Sequence, residues 1–301
     1  MRLLLCGGTG FIGHALTQAL LSRGDEVCIV TRNKPIKSPY DAALPHPTYV
    51  TWDEWSTNPD SLTGYDGIVN LSGESINQRW TKKAKDRIVS SRVEAAERIA
   101  KNLKRMSSPP EVIINSSGIS LYGHSGEKVF VEDSPVLPAD FLGDTVVKWE
   151  KAADLIPAKR LVKLRIGLVC APSGGAFPLL YLPYRLFGGG RMGTGQQGLP
   201  WIHLQDMVSL ILFCLDHPTL SGPVNAVAPE PVSNDEFGRM LGHVTHRPHW
   251  FPVPGFILKT VLGEMSTLVL TGQRAMPDKL LKHGFAFVFP KLEGALRDIT
   301  R

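Results

Sequence analysis

The run Cys6-Gly7-Gly8-Thr9-Gly10-Phe11-Ile12-Gly13 constrains this chain more than any other feature. It follows Leu3–Cys6, an apolar run that reads as a strand. It opens Phe11–Ser22, where Phe11, Ile12, Leu16, Ala19 and Leu20 fall at helical spacing. Glycines 7, 10 and 13 satisfy GxxGxxG, and glycines 8, 10 and 13 satisfy GxGxxG. Such glycines make the tight turn, let the backbone approach a pyrophosphate, and let the helix pack close on the strand. Unpaired amides in the first helical turn then face the anion. The pattern implies a dinucleotide site built by Gly7, Thr9, Gly10, Phe11, Ile12 and Gly13.

The next strand, Glu26–Thr31, selects the nucleotide. An NAD site ends this strand in Asp or Glu, about 20 residues past the turn, to bond the ribose 2′-hydroxyl. Here the strand ends Val30-Thr31-Arg32-Asn33-Lys34, with no carboxylate. A guanidinium suits a 2′-phosphate by charge and by its fork of donors. Thr31 and Arg32 therefore point to NADP; an ordinary solvated arginine is the alternative.

Strands and helices go on alternating. Thr48–Thr51, Gly67–Leu71, Val112–Ser116 and Leu161–Val169 read as strands, and Lys82–Met106 and Phe141–Leu155 as helices. This order implies an α/β fold: a doubly wound parallel sheet of Rossmann type, covered on both faces. Past Val169 the texture changes. An irregular stretch, Ala171–Pro200, leads to short helices near Asp206–Asp216, Asn234–His243 and Phe256–Leu262. A Rossmann domain over residues 1–170 and a smaller, mostly helical lobe over 171–301 suit a chain of 301 residues.

Composition narrows the class. Hydrophobic residues at 43% and charged residues at 20% exclude wholesale disorder. No apolar run reaches the ~18 residues of a membrane span. Glycines interrupt the first apolar run where an export signal would continue. Net charge is 33 − 28 = +5. Lys82, Lys83, Lys85 and Arg87 read as a solvated helix face, and no nucleic-acid module accompanies them. The four cysteines lack CxxC spacing, so buried free thiols in a reducing cytoplasm are expected, with no disulfide or metal site.

Longer segments carry a family resemblance: GGTGFIG at 7–13, TWDE at 51–54, VNLSGESI at 69–76, SSR at 90–92, KWEKAA at 148–153, RIGLV at 165–169, GTGQQGLPWIHLQDM at 193–207 and LTGQRAMPDKLLKHGFAFVFP at 270–290. The chain resembles an atypical, extended short-chain dehydrogenase/reductase of the epimerase family group, which ends in a small domain of unknown function, here about 250–298. The resemblance implies that Leu71, Ser72 and Gly73 pass beneath the cofactor and that Trp52 and Asp53 meet the adenine edge. It also implies that Arg92 reaches the cofactor and that Val169 lines the nicotinamide side. Turn-forming roles for Ser72 and Gly73, and a surface ion pair for Arg92, stay open.

The catalytic pattern of that superfamily fails. It uses a Ser or Thr with a Tyr and a Lys four residues later, the Lys lowering the Tyr pKa for proton exchange. None of the six tyrosines has Lys at +4. If Glu150 marks the usual glutamate of the helix, the pair is replaced by Leu142 and Val146. Ser117 fits the Ser/Thr position and is expected to line the cofactor or substrate site, against a strand-ending role; Tyr122 is a candidate substitute acid, although a Tyr before Gly at this loop occurs in the superfamily without that role; both are catalytic candidates.

His243, His246 and His249 have HxxHxxH spacing, but Pro248 breaks the helix between them, which argues against a metal. Asp206 reads as the cap of the next helix, His203 as facing the cleft, and Arg185 and Arg191 as substrate contacts on the long loop. The expected function is an NADP(H)-dependent oxidoreductase or epimerase-like enzyme acting on a carbonyl compound or sugar nucleotide. A catalytically inactive NADPH sensor or scaffold is the alternative. The expected setting is cytoplasmic, with a small-molecule substrate, no nucleic acid, no membrane, and a homodimer allowed.

Overall fold

The computed structural model describes residues 1–36, 40, 45–124 and 126–301. The first half contains β1 (Arg2–Cys6), α1 (Phe11–Arg23), β2 (Glu26–Thr31), β3 (Thr48–Thr51), α2 (Trp52–Thr57), β4 (Gly67–Asn70), α3 (Lys82–Leu103), β5 (Val112–Gly118), β6 (Val129–Phe130) and α4 (Phe141–Ala153). Then come β7 (Arg160–Ile166), β8 (Leu168–Cys170), α5 (Phe177–Arg185), β9 (Gly198–Leu199), β10 (Trp201–His203), α6 (Leu204–Asp216) and β11 (Gly222–Ala226). The chain closes with β12 (Val232–Ser233), α7 (Asn234–Thr245), α8 (Gly255–Leu262), α9 (Thr267–Leu270), β13 (Arg274–Ala275), α10 (Asp278–Lys282) and α11 (Leu292–Ile299).

Seven strands form one parallel sheet in the order β11-β7-β5-β4-β1-β2-β3. The expected doubly wound Rossmann sheet is therefore present, and its order reverses between β1 and β4, where such sheets bind ligands. Both faces are covered. Leu16 and Leu20 of α1 and Leu210 and Ile211 of α6 pack on one face. Trp55, Ala96, Ile99 and Leu103, with Ala152 and Ala153, pack on the other. A further core joins Phe177, Tyr184, Trp201, Phe237, Leu241 and Leu296 in the C-terminal lobe.

Three expectations need correction. The strand expected over Leu161–Val169 divides at Gly167, where a β-carbon would lie 2.3 Å from the Pro200 carbonyl oxygen. Beyond it, β8 leaves the sheet and pairs with β10. The stretch Ala171–Pro200 is not irregular throughout, because α5 starts there with proline in its first turn. The sheet also takes β11 from beyond residue 170; Pro223 hides this strand from the sequence pattern, yet an edge strand tolerates it.

Candidate functional site

The glycine turn joins β1 to α1, and its geometry explains its composition. Gly7 has φ +83°, a left-handed conformation. A β-carbon there would lie 2.9 Å from the Leu71 carbonyl. A β-carbon on Gly13 would lie 2.2 Å from the Gly7 oxygen. Gly10 occupies the cap position of α1 with no side-chain cap, so the first-turn amides of Phe11, Ile12 and Gly13 stay free for an anion. Thr9 and Gly10 are exposed, and Phe11 and Ile12 are half-buried.

The sequence-identified cofactor residues gather around this turn. Leu71 follows β4, and its amide donates to the Cys6 oxygen at 2.8 Å. Asn70 Oδ1 accepts from the Ser72 amide while Asn70 Nδ2 donates to Asn115 Oδ1, so two buried asparagines hold the loop beside the glycines. Thr31 ends the adjacent strand β2, and Arg32 follows it. Arg32 is exposed and has no ion-pair partner among the described residues, whereas Lys34 is bound to Glu54. Val169 is buried in β8; its oxygen and the Phe11 ring close on Gly175, while Gly174 packs on the same ring.

Arg92 and Trp52 serve differently from the expectation. The Arg92 guanidinium lies under Gly73, donates to the Glu74 and Ile88 oxygens, and sits 5.2 Å over the Trp149 ring. Burial lowers its pKa to about 10 despite the nearby Glu74 carboxylate. It supports the loop from below, and it is no surface ion pair. The Trp52 ring is buried beside Trp55 against the sheet, and Asp53 turns outward to Arg98.

Ser117 and Tyr122 meet, but in a buried polar knot. Ser117 is 4% exposed and donates to Glu150 Oε1 at 2.7 Å. Arg165 donates to both oxygens of Glu150 and to the Tyr122 hydroxyl, at 2.9, 3.1 and 2.7 Å. Tyr122, 1% exposed, donates onward to Asn225. Burial pushes the Glu150 carboxyl up, yet Arg165 and Ser117 outweigh it and its pKa falls below 4.5. Burial raises the Tyr122 pKa against Arg165. Both hydroxyls are committed, so neither is placed as a proton donor to a ligand. At the end of β5, Gly118 faces Val146: a β-carbon there would lie 2.9 Å from Val146 Cγ2 and 3.8 Å from the Ser120 hydroxyl.

The remaining candidates resolve as structure. His203, not Asp206, caps α6, accepting from the Gln205 amide; its other nitrogen lies 3.3 Å from Asp298. His203 is buried, so it does not face a cleft. Asp206, fully buried, accepts from the Val288 and Phe289 amides and ties down the C-terminal segment. His249 bonds Tyr184 and Asp235, and no metal-type cluster occurs among the described residues. Arg185 and Arg191 are exposed, Arg191 with its stem against Gly195. Lys85 pairs with Glu264 of the smaller lobe and lies 5.1 Å over Phe141, spanning the two lobes. The four cysteines are free and buried, with burial raising their pKa values. No helix among the described residues is long and apolar enough to cross a membrane.

Several site residues carry no sequence signal. Tyr40 stacks on His14 and donates to the Gly8 oxygen at 3.1 Å, bracing the turn. Arg165 and Glu150 are 15 residues apart on different elements, so only the fold reveals their pairing. A polar residue ending the buried strand β4 is the one hint of the Asn70–Asn115 clamp.

The glycine turn, the loop beneath it and the free amides agree with a dinucleotide site, and comparison with known proteins agrees with the architecture. Residues 3–140 match the NAD dependent epimerase/dehydratase family, and residues 253–299 match a domain of unknown function. An epimerase family protein of Bacillus subtilis, YfhF, is 40% identical over 302 residues, covering 99% of this chain and 98% of that protein. The chain belongs to this epimerase family. Another member, human SDR39U1, has a crystal structure with NADPH: TM-score 0.90, 36% identity, and 99% of each chain covered. UDP-glucuronic acid 4-epimerase of Bacillus cereus, in complex with NAD, shares the fold alone, at 17% identity and TM-score 0.75, over 99% of this chain and 96% of that one.

Proposed function

We propose that this protein binds NADP(H) at the carboxyl ends of β1, β2 and β4, and acts as a cofactor-dependent binder without the Tyr–Lys proton relay. The carrying observation is the pairing of an open, uncapped helix start at Gly10 with an exposed guanidinium at Arg32 that has no ion-pair partner among the described residues. The amides of α1 would hold the pyrophosphate, Arg32 the 2′-phosphate, and the Leu71–Gly73 loop the adenosine side. That the human family member is crystallised with NADPH supports the same choice. NADPH supplies a hydride when bound; what this chain lacks is the partner proton. If Glu150 marks the family's glutamate, Leu142 and Val146 of α4 take the relay's two positions; Ser117 and Tyr122 are spent on Glu150, Arg165 and Asn225.

One observation favours a second reading, an oxidoreductase or epimerase-like enzyme. Ser120 is half-buried, and its hydroxyl stands 3.8 Å from the β-carbon position of Gly118, at the sheet end where a substrate oxygen would be held. Titration calorimetry with NADPH and NADH tests the binding reading; no heat with either nucleotide overturns it. NADPH consumption across carbonyl compounds and sugar nucleotides separates the two readings. Turnover lost in Ser120→Ala supports the enzyme, and tight binding without turnover supports the sensor or scaffold.

A further inference from the structure

Two stretches without a single acidic residue meet on the smaller lobe. No Asp or Glu lies between Asp154 and Asp206, or between Glu236 and Glu264. The first stretch supplies α5, where Leu179, Leu182 and Leu186 form an exposed stripe while Phe177 and Tyr184 face the core. The second supplies Trp250, Phe251 and α8, in which no residue is buried and Phe256, Ile257 and Val261 are exposed. The stretches are joined. Trp250 Nε1 donates to the Phe187 oxygen at 2.9 Å, and the Trp250 and Phe251 amides donate to the Gly189 oxygen. Of 17 large hydrophobic residues exposed among the described residues, ten lie in these two stretches, and all of the ten but Leu155 belong to α5, α8 and the segments that follow or precede them. A concentration of this kind marks an interaction surface.

Cations frame the apolar face. Arg185 and Lys259 are exposed on its helices, and the Arg247 guanidinium lies 4.4 Å over the Phe187 ring. Arg247 also lines an open concavity of about 430 Å³ with Arg239, His243, His246 and His249, and no carboxylate is in its wall. The adjacent carboxylates are already engaged: Asp235 with Arg239 and His249, Glu293 with Arg297. Phe187 and His246, at φ +59° and +53°, are the non-glycine residues in left-handed conformation among the described residues, and both border this corner. Such backbone is costly and concentrates at functional surfaces.

We propose that this face docks on an anionic lipid bilayer, its aromatic and aliphatic side chains at the headgroup boundary and its basic concavity on lipid phosphate. Aromatic residues with flanking cations suit that boundary. The one-signed charge argues against a second copy of the chain, since a twofold contact would set these cations against themselves. The inference departs from the sequence expectation of no membrane partner; it concerns surface docking, not a span.

The test is co-sedimentation of the whole chain with vesicles. With phosphatidylglycerol mixed into phosphatidylcholine, binding should exceed that to pure phosphatidylcholine at least about tenfold and weaken as salt rises. The double variant Phe256→Ser/Val261→Ser and the single variant Arg247→Glu should each lose most of it while keeping wild-type NADPH binding as the measure of folding. Absence of binding to either vesicle, equal binding to both, or binding unchanged in the variants would overturn the proposal. So would a dimer by light scattering that Phe256→Ser/Val261→Ser dissociates, because a second copy would then cover the face.

Discussion

The buried Ser117 hydroxyl donates to Glu150 Oε1, 2.7 Å away. Ser117→Ala should therefore leave NADPH affinity unchanged within about twofold. It should cost about 1.5–3 kcal/mol of stability, the worth of a buried hydrogen bond to a charged group. Calorimetry and denaturant unfolding check the two halves separately. A marked loss of affinity with stability intact would return Ser117 to the cofactor site.

Glu150 and Arg165 are both nearly buried, and each neutralises the other. Glu150→Ala should cost about 3–5 kcal/mol, because it leaves the buried Arg165 guanidinium without its countercharge. The pH dependence follows from the lowered Glu150 pKa. A carboxyl depressed in the folded state contributes stability above its unfolded value, near 4.5, and loses it as pH falls through the folded value. The gap in melting temperature between wild type and Glu150→Gln should be full at pH 6–7 and shrink below about pH 4.5. A gap that widens in acid contradicts the assigned direction.

Arg32, just past β2, and Arg92, under Gly73, should fail differently. Arg32→Ala removes a charged donor from the ribose end. It should weaken NADPH by about 10- to 100-fold and NADH by little, as expected for about 1.5–3 kcal/mol from a charged hydrogen bond. Arg92→Met removes the prop under Gly73 and the bonds to Glu74 and Ile88. It should weaken both nucleotides alike. Equal losses for NADPH and NADH in Arg32→Ala would sink the 2′-phosphate assignment.

What the sequence disclosed is what local spacing encodes. The strand–glycine–helix unit is legible because its glycines fall at the fixed spacing the turn needs: Gly7 takes a left-handed φ, Gly10 starts the helix, and Gly13 faces Gly7. Strand alternation is legible because parallel strands are buried on both faces. The Ser117–Glu150–Arg165–Tyr122 knot is not legible, since its members come from β5, α4, β7 and the turn after β5. Asp206 shows the same limit. At the start of an apolar helix it resembles a cap, and only the arrival of residues 288 and 289 shows its use.

That use yields a final expectation. Asp206 lies at the start of α6, which packs on the sheet, while its two acceptors take amides from the segment leading into α11. Burial raises its pKa despite those amides, so its charge is carried at a cost that the two bonds must offset. Asp206→Ala leaves both amides without their partner and opens a small void. It should destabilise the chain by about 2–4 kcal/mol and expose the segment around Val288 first. Hydrogen exchange should show amides 288 and 289 losing protection well before those of β1, with NADPH affinity nearly unchanged because the glycine turn lies on other elements. Uniform loss of protection across the sheet would mean that α6 and the C-terminal segment unfold as one unit with the Rossmann core.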